Sequence, residues 1–269
     1  MALSCRSRSR TICLGALVLI SSGLLLLPGY TRVELARESQ PVPILLYHRF
    51  ADVPVDSMTV TTPVFASQLK SLREQGYSVI PLRQLIAWRL GKAETPPPRS
   101  VVITADDGHR SVYTVMFPLI KQYRIPVTLF IYPSAISNAP YALTWAQLRE
   151  LHASGLFEIQ SHTYWHPNFK KEKKRLAPAE YKKFLTSQLT KSKAQLEKNL
   201  GIKVDMLAWP FGIHDEELAQ QASEAGYVAA FTIARHHVTS SDVVMALPRY
   251  LLTNKDEGKT FERLLSNRQ

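Results

Sequence analysis

From residue 41 onward, short apolar runs alternate with stretches whose apolar residues recur every three or four positions. The first pattern suits buried strands and the second suits helices with one covered face. Strands are predicted at 42–47, 77–82, 101–104, 126–132, 157–160, 204–209, 228–233 and 246–252. Helices are predicted at 63–75, 82–90, 112–123, 145–153, 178–200 and 216–225. In the first helix Phe65, Leu69 and Leu72 share a face, and Gly76 ends it. Thr144 is placed to cap the helix at 145, with Gly155 to stop it. Pro178 suits a first helical turn. Tyr181, Leu185, Leu189, Leu196 and Leu200 form the stripe of the longest helix, and Gly201 closes it.

Strands and helices taking turns in this way predict a parallel sheet covered by helices. The number and spacing of the strand signals predict an α/β fold, a deformed or incomplete (β/α) barrel, forming a single catalytic domain at 41–269. Residues 1–40 stand apart. Arg6, Arg8 and Arg10 make a basic start, and 12–28 is an almost unbroken apolar run. This reads as a signal peptide or a membrane anchor plus linker. The run is at the short end of what spans a bilayer, and Ala36 is a weak cleavage candidate. The basic start puts the domain beyond the membrane: exported, periplasmic or extracellular, released or attached through this segment.

Cys5 and Cys13 both lie in the leader, so the exported domain has neither disulfide nor thiol chemistry. The chain carries a net charge of +11. Five Arg and two Glu within 1–40 account for three of these charges, leaving eight for the domain. Many sit in one stretch, at Lys170, Lys171, Lys173, Lys174, Arg175, Lys182, Lys183, Lys191, Lys193 and Lys198. Such a balance favours anionic partners, although a charge run on a helix is first of all a solvated face. No phosphate-binding glycine loop or aromatic ladder accompanies it, and nucleic acid is not expected as a partner.

The candidate chemistry falls at strand ends, where barrels of this kind place it. His48 follows the first strand and Asp106-Asp107-Gly108 the third. His162 and His166 follow the fifth, and Trp209-Pro210-Phe211-Gly212 the sixth. Asp-Asp-Gly alone would read as a turn. Beside two histidines it becomes a carboxylate–imidazole set that holds a divalent ion and leaves coordination positions open. Pro167 places the second histidine in a loop. Trp209 to Gly212 reads either as a rigid aromatic turn or as a pocket wall, and Trp165 as core or as a sugar platform. His236-His237 follows the seventh strand and is a weaker candidate for the mouth.

Seven segments together resemble the polysaccharide deacetylase family, carbohydrate esterase family 4. They are Tyr47-His48, Thr104-Ala105-Asp106-Asp107-Gly108, Val127-Thr128-Leu129-Phe130-Ile131, Leu143-Thr144-Trp145, Ser161-His162-Thr163-Tyr164-Trp165-His166, Trp209-Pro210-Phe211-Gly212 and Leu247-Pro248-Arg249. The nearest subgroup is the poly-β-1,6-N-acetylglucosamine N-deacetylases of biofilm systems. The resemblance implies metal-dependent removal of N-acetyl groups from an N-acetylglucosamine polymer, with exopolysaccharide secretion proteins as further partners. It implies Asp107, His162 and His166 as metal ligands, Asp106 as general base and His48 as general acid. The Phe211 N–H would steady the oxyanion, and Trp209, Pro210, Phe211 and Trp165 would line the substrate. Zinc is the default ion for this ligand set, and cobalt or nickel also fit it. Two other readings use the same residues: an O-acetyl esterase on xylan or another polysaccharide, and a non-catalytic polysaccharide-binding protein.

Three positions depart from the family pattern. Ala105 replaces an aromatic before the two aspartates. Leu207-Ala208-Trp209-Pro210 lacks the arginine that many members use to orient the base. A late Leu-His pair is missing, which leaves the acid to His48.

Overall fold

A computed structural model describes residues 41–266, and the leader read at 1–40 lies outside the described residues. In chain order the elements are β1 (Ile44–Tyr47), β2 (Arg49–Ala51), β3 (Thr59–Thr61), α1 (Thr62–Glu74), β4 (Ser78–Val79), α2 (Leu82–Arg89) and β5 (Ser100–Asp106). A π-helical turn at Val112–Met116 leads into α3 (Phe117–Tyr123). Then come β6 (Val127–Ile131), α4 (Trp145–Ala153), β7 (Phe157–Ser161), α5 (Phe169–Arg175), α6 (Pro178–Leu200), β8 (Met206–Ala208), α7 (Glu216–Glu224), β9 (Ala229–Phe231), β10 (Tyr250–Leu251) and α8 (Lys259–Leu265).

The sheet runs β10-β1-β5-β6-β7-β8-β9, with β4 beside the start of β5, and every pairing is parallel. This is the deformed (β/α) barrel that the alternation predicts. The predicted strand at 246–252 is a kinked strap. Leu247 bridges Phe231 of β9, and three residues later Tyr250 and Leu251 pair with β1. Pro248 between them has no N–H to give a ladder, so the strap leaves one neighbour and joins the next. It therefore closes the seam between the first and last long strands. The short pair β2–β3 is unanticipated, because three-residue strands carry no readable period.

Alternate residues of the strands face two cores. Ile44, Val102, Phe130, Met206, Ala208, Phe231 and Leu247 share the inner cluster with Leu82, Leu85 and Ile86 of α2, which plugs the barrel. The larger outer cluster packs strands against the surrounding helices. In α6, Tyr181, Leu185, Leu189 and Leu196 are buried as the spacing predicts. Truncating any of these leucines to alanine costs about 2–5 kcal/mol. Thr144 caps α4 in a capping box with Gln147, and Gly201 takes the left-handed conformation that ends α6. Most lysines of α5 and α6 are exposed, consistent with a solvated face. Lys173 pairs with Asp215 at 3.3 Å and Glu217 at 2.8 Å across to α7.

Candidate active site

Parallel register builds the site. Tyr47 pairs with Ala105, so His48 and Asp106 leave neighbouring strands side by side. Asp106 is the last residue of β5, and His162 follows the last residue of β7. The chain then leaves regular structure through residues with left-handed backbones: Asp107, Thr163, His166 and Phe211 have φ of 70°, 63°, 64° and 58°. Each such residue costs on the order of 1 kcal/mol or more, and such costs gather at functional sites. Four of the seven non-glycine residues with such backbones among the described residues gather around this one mouth.

Asp107, His162 and His166 form a group whose ligand atoms all lie within 4.8 Å of one another. His162 Nε2 and His166 Nε2 stand 3.6 Å and 3.8 Å from Asp107 Oδ1. Separations of this size suit donors that each sit about 2 Å from one shared ion. Asp107 Oδ1 is buried with no hydrogen-bond partner, an arrangement that costs free energy unless a cation fills it. His162 Nδ1 is 2.8 Å from the Ala208 carbonyl, which accepts its proton and turns the Nε2 lone pair towards Asp107. The residues therefore fit a divalent ion. The side chains of His166 and Asp107 are 22% and 21% exposed, so the group opens to solvent on one side, as a catalytic rather than a sealed structural site would.

Electrostatics separate the two aspartates. Burial pushes the Asp106 carboxyl up, but the Arg249 and His162 charges and the Arg249 hydrogen bonds outweigh it and hold Asp106 below the usual carboxylate range. Burial raises Asp107 above that range. Burial drives His162 down to about 3 and also lowers His166, so both imidazoles are neutral near neutral pH, the form that can bind a cation. His48 is lowered chiefly by burial, against the pull of Asp107 and Asp106, and its Nδ1 has no partner.

Arg249 lies in one of the segments that carry the resemblance, but the sequence assigned it no role. Its Nη1 donates to Asp106 Oδ1 at 2.8 Å and its Nη2 to Asp106 Oδ2 at 2.7 Å. The guanidinium is fully buried over Phe130 and Phe231, with centroid distances of 5.2 Å and 5.9 Å. The arginine absent before Trp209 thus has a counterpart on the seam strap, and Asp106 is not left unoriented. The available signal was an arginine flanked by Leu247, Pro248, Tyr250 and Leu251 in an otherwise apolar strand.

Other expectations need correction. The Trp209 side chain is 0% exposed, and its Nε1–H donates to the Met245 carbonyl at 2.9 Å. Its ring meets Phe169 at 6.2 Å. Pro210 is buried beside it. Neither can form a wall that touches polymer; Trp209 belongs instead to the outer core. Phe211 and Trp165 do reach the surface, at 56% and 43% exposure, and Phe211 meets the His166 ring edge-on at 4.6 Å. Gly212 and Ile213 spend their N–H groups on the Trp209 and Pro210 carbonyls. His237 lies away from the mouth. It is buried with Nε2 2.9 Å from the Leu264 carbonyl, beside the Val42–Val238 bridge that precedes β1. Ala105 is buried, and its register neighbour Tyr47 packs against Phe50 and Phe65 in an aromatic cluster.

Comparison with known proteins agrees with this geometry. Residues 93–230 match the family model for polysaccharide deacetylases. The poly-β-1,6-N-acetyl-D-glucosamine N-deacetylase of Staphylococcus aureus strain MRSA252 is 25% identical over 224 residues, covering 82% of this chain and 75% of that protein. The Streptococcus pyogenes deacetylase PplD, solved with acetate, superposes with a TM-score of 0.74 at 21% identity, over 84% of this chain and 98% of that one. IcaB from Ammonifex degensii gives 0.72 at 23% identity, over 85% and 98%. At these identities the two solved structures establish the fold.

Proposed function

The chain belongs to the polysaccharide deacetylase family, and we propose that it removes N-acetyl groups from a polymer of β-1,6-linked N-acetylglucosamine of the kind found in biofilm matrix. The observation that carries this reading is the pairing of an unpartnered, buried Asp107 Oδ1 facing two imidazole nitrogens with an Arg249-clamped Asp106 alongside. The choice of polymer is supported by the substrate for which the Staphylococcus relative is named and by the presence of His48 in a chain that lacks a late Leu-His pair. Residues 1–40 serve as the export leader or membrane anchor, and the domain from 41 works in the periplasm or outside the cell, alongside exopolysaccharide secretion proteins.

Asp107, His162 and His166 would hold the divalent ion, zinc by ligand type, with cobalt or nickel as substitutes. When bound, the ion supplies Lewis acidity to the acetyl carbonyl and acidifies a water. Asp106, kept ionised by Arg249, accepts a proton from the attacking water. The Phe211 N–H donates to the oxygen on which negative charge develops. His48 donates a proton to the departing amide nitrogen as the C–N bond breaks, which yields acetate and a glucosamine unit. Phe211 and Trp165 line the polymer side.

The test is acetate release from a β-1,6-linked N-acetylglucosamine oligomer by the full chain. It is run as purified, after chelation with zinc, cobalt or nickel restored, and with Asp106→Asn. Metal-restored release that Asp106→Asn abolishes supports the reading. Release from O-acetylated xylan and not from the oligomer would replace it with an esterase. Polymer binding without release, in protein shown to hold metal, would leave a binding protein.

A further inference from the structure

Tyr132 directly follows β6, the strand between β5, which carries Asp106, and β7, which precedes His162. Its ring centroid lies 5.5 Å from that of His166 and 6.4 Å from that of His162. Its hydroxyl oxygen is 2.6 Å from that of Tyr141, at the solvent-facing rim. Tyr141 is itself held in place. Its carbonyl accepts from the Arg110 N–H at 2.8 Å, and its ring lies nearly parallel to that of His109, 6.2 Å away. Ala142 bridges His109, and the Leu143 N–H donates to the Gly108 carbonyl at 2.8 Å. The segment carrying Tyr141 is thus laced to the residues that follow Asp107.

The mechanism uses neither hydroxyl. Within a phenol pair one O–H is spent on the partner oxygen. The other O–H and the remaining lone pairs stay free. The pair therefore presents one free O–H donor and free acceptor lone pairs at the rim, on a ring that packs beside His166. Such a group matches an alcohol, which both donates and accepts. A methyl would gain nothing from it, and an ammonium would be better met by a carboxylate.

We propose that Tyr132 is a specificity-determining residue: its hydroxyl, aimed by Tyr141, hydrogen-bonds a ring hydroxyl of the sugar whose acetamido group lies at the Asp107–His162–His166 cluster. The inference rests on the deacetylase reading. It makes the site select an acetylated sugar over a bare acetyl donor, because a substrate without the hydroxyl leaves the pair unmatched.

Tyr132→Phe and Tyr141→Phe test it, with two substrates and bound metal measured for each variant. One substrate is the β-1,6-linked oligomer; the other is 4-nitrophenyl acetate, an acetyl ester without a sugar. Tyr132→Phe is expected to lower kcat/KM on the oligomer by about 10-fold, the worth of one such hydrogen bond. Tyr141→Phe is expected to lose about 3-fold, mostly in KM. Aryl acetate turnover and metal content should stay unchanged in both. Equal losses on the two substrates, loss of metal, or an unchanged rate on the oligomer would each overturn the assignment. A wild-type chain that cleaves aryl acetate but not the oligomer would instead overturn the deacetylase reading, and this inference with it.

Discussion

Arg249 grips Asp106 through both guanidinium nitrogens, at 2.8 Å and 2.7 Å, in a pair with almost no solvent exposure across 143 residues of sequence. Paired hydrogen bonds of this fork type fix direction as well as charge. Replacing Arg249 with Met strands a buried carboxylate, which costs about 3–5 kcal/mol of stability. Asp106 titrates lower folded than unfolded, so its contribution is complete above the unfolded value of about 3.9 and fades as pH falls through the folded one. Without Arg249 the base protonates at higher pH. The acid limb of the pH–rate profile should move up, and the neutral-pH rate should fall by about 100-fold. Arg249→Lys, which keeps charge but not the fork, should fall between the two. Urea melts and rate profiles check both statements.

His48 should control the opposite limb. A proton donor must be protonated, so the rate drops as pH rises through its pKa, which burial holds below the ordinary histidine value. His48→Ala is expected to lose about 10²–10⁴ in kcat and to flatten the basic limb. A variant that loses rate yet keeps that limb would assign the limb to another group.

Acid should release metal through Asp107 or His166 rather than through His162. Burial takes His162 down to about 3, so protons compete weakly for its nitrogen, whereas burial raises the Asp107 carboxyl and lowers His166. Desalting across a pH series, with the metal retained measured at each step, should show no loss that tracks His162. Free metal at 100 times its Kd should raise stability by about 2.7 kcal/mol, and His162→Gln should abolish that gain.

The two tryptophans nearest the site should separate by assay. Trp209→Ala opens a buried cavity and strands the Met245 carbonyl, costing about 3–5 kcal/mol. Trp165→Ala, at 43% exposure and packed only edge-on against Phe184, should leave the melt almost unchanged and raise KM on long oligomers. Thermal melts beside oligomer kinetics would show the split.

The order of the main strands and helices was legible because most strands are short apolar runs and the longer helices carry a period, with end signals at Thr144 and Gly201; α5 and α8, of seven residues each, are too short to show one and were not anticipated. The candidate metal cluster was legible because Asp107 and His162 directly follow strand ends, where parallel topology gathers side chains, and the loop after β7 brings His166 back beside them. Arg249 was not, since its partner lies on a strand that only closure of the seam brings near. Trp209 was misplaced because Met206, Leu207 and Ala208 are all buried, and a strand covered on both faces carries no alternation to say which side its next residue takes. The β2–β3 pair escaped because three residues cannot display a period.

The seam strap also sets an order of assembly in time. Asp107, His162 and His166 all precede it, so a growing chain holds these three side chains well before residue 249 exists. Until the strap docks across β9 and β1, Asp106 lacks the guanidinium that clamps it. A chain that stops short of the strap would thus carry the three candidate ligands beside an unclamped carboxylate, and the two parts of the site are completed at different times.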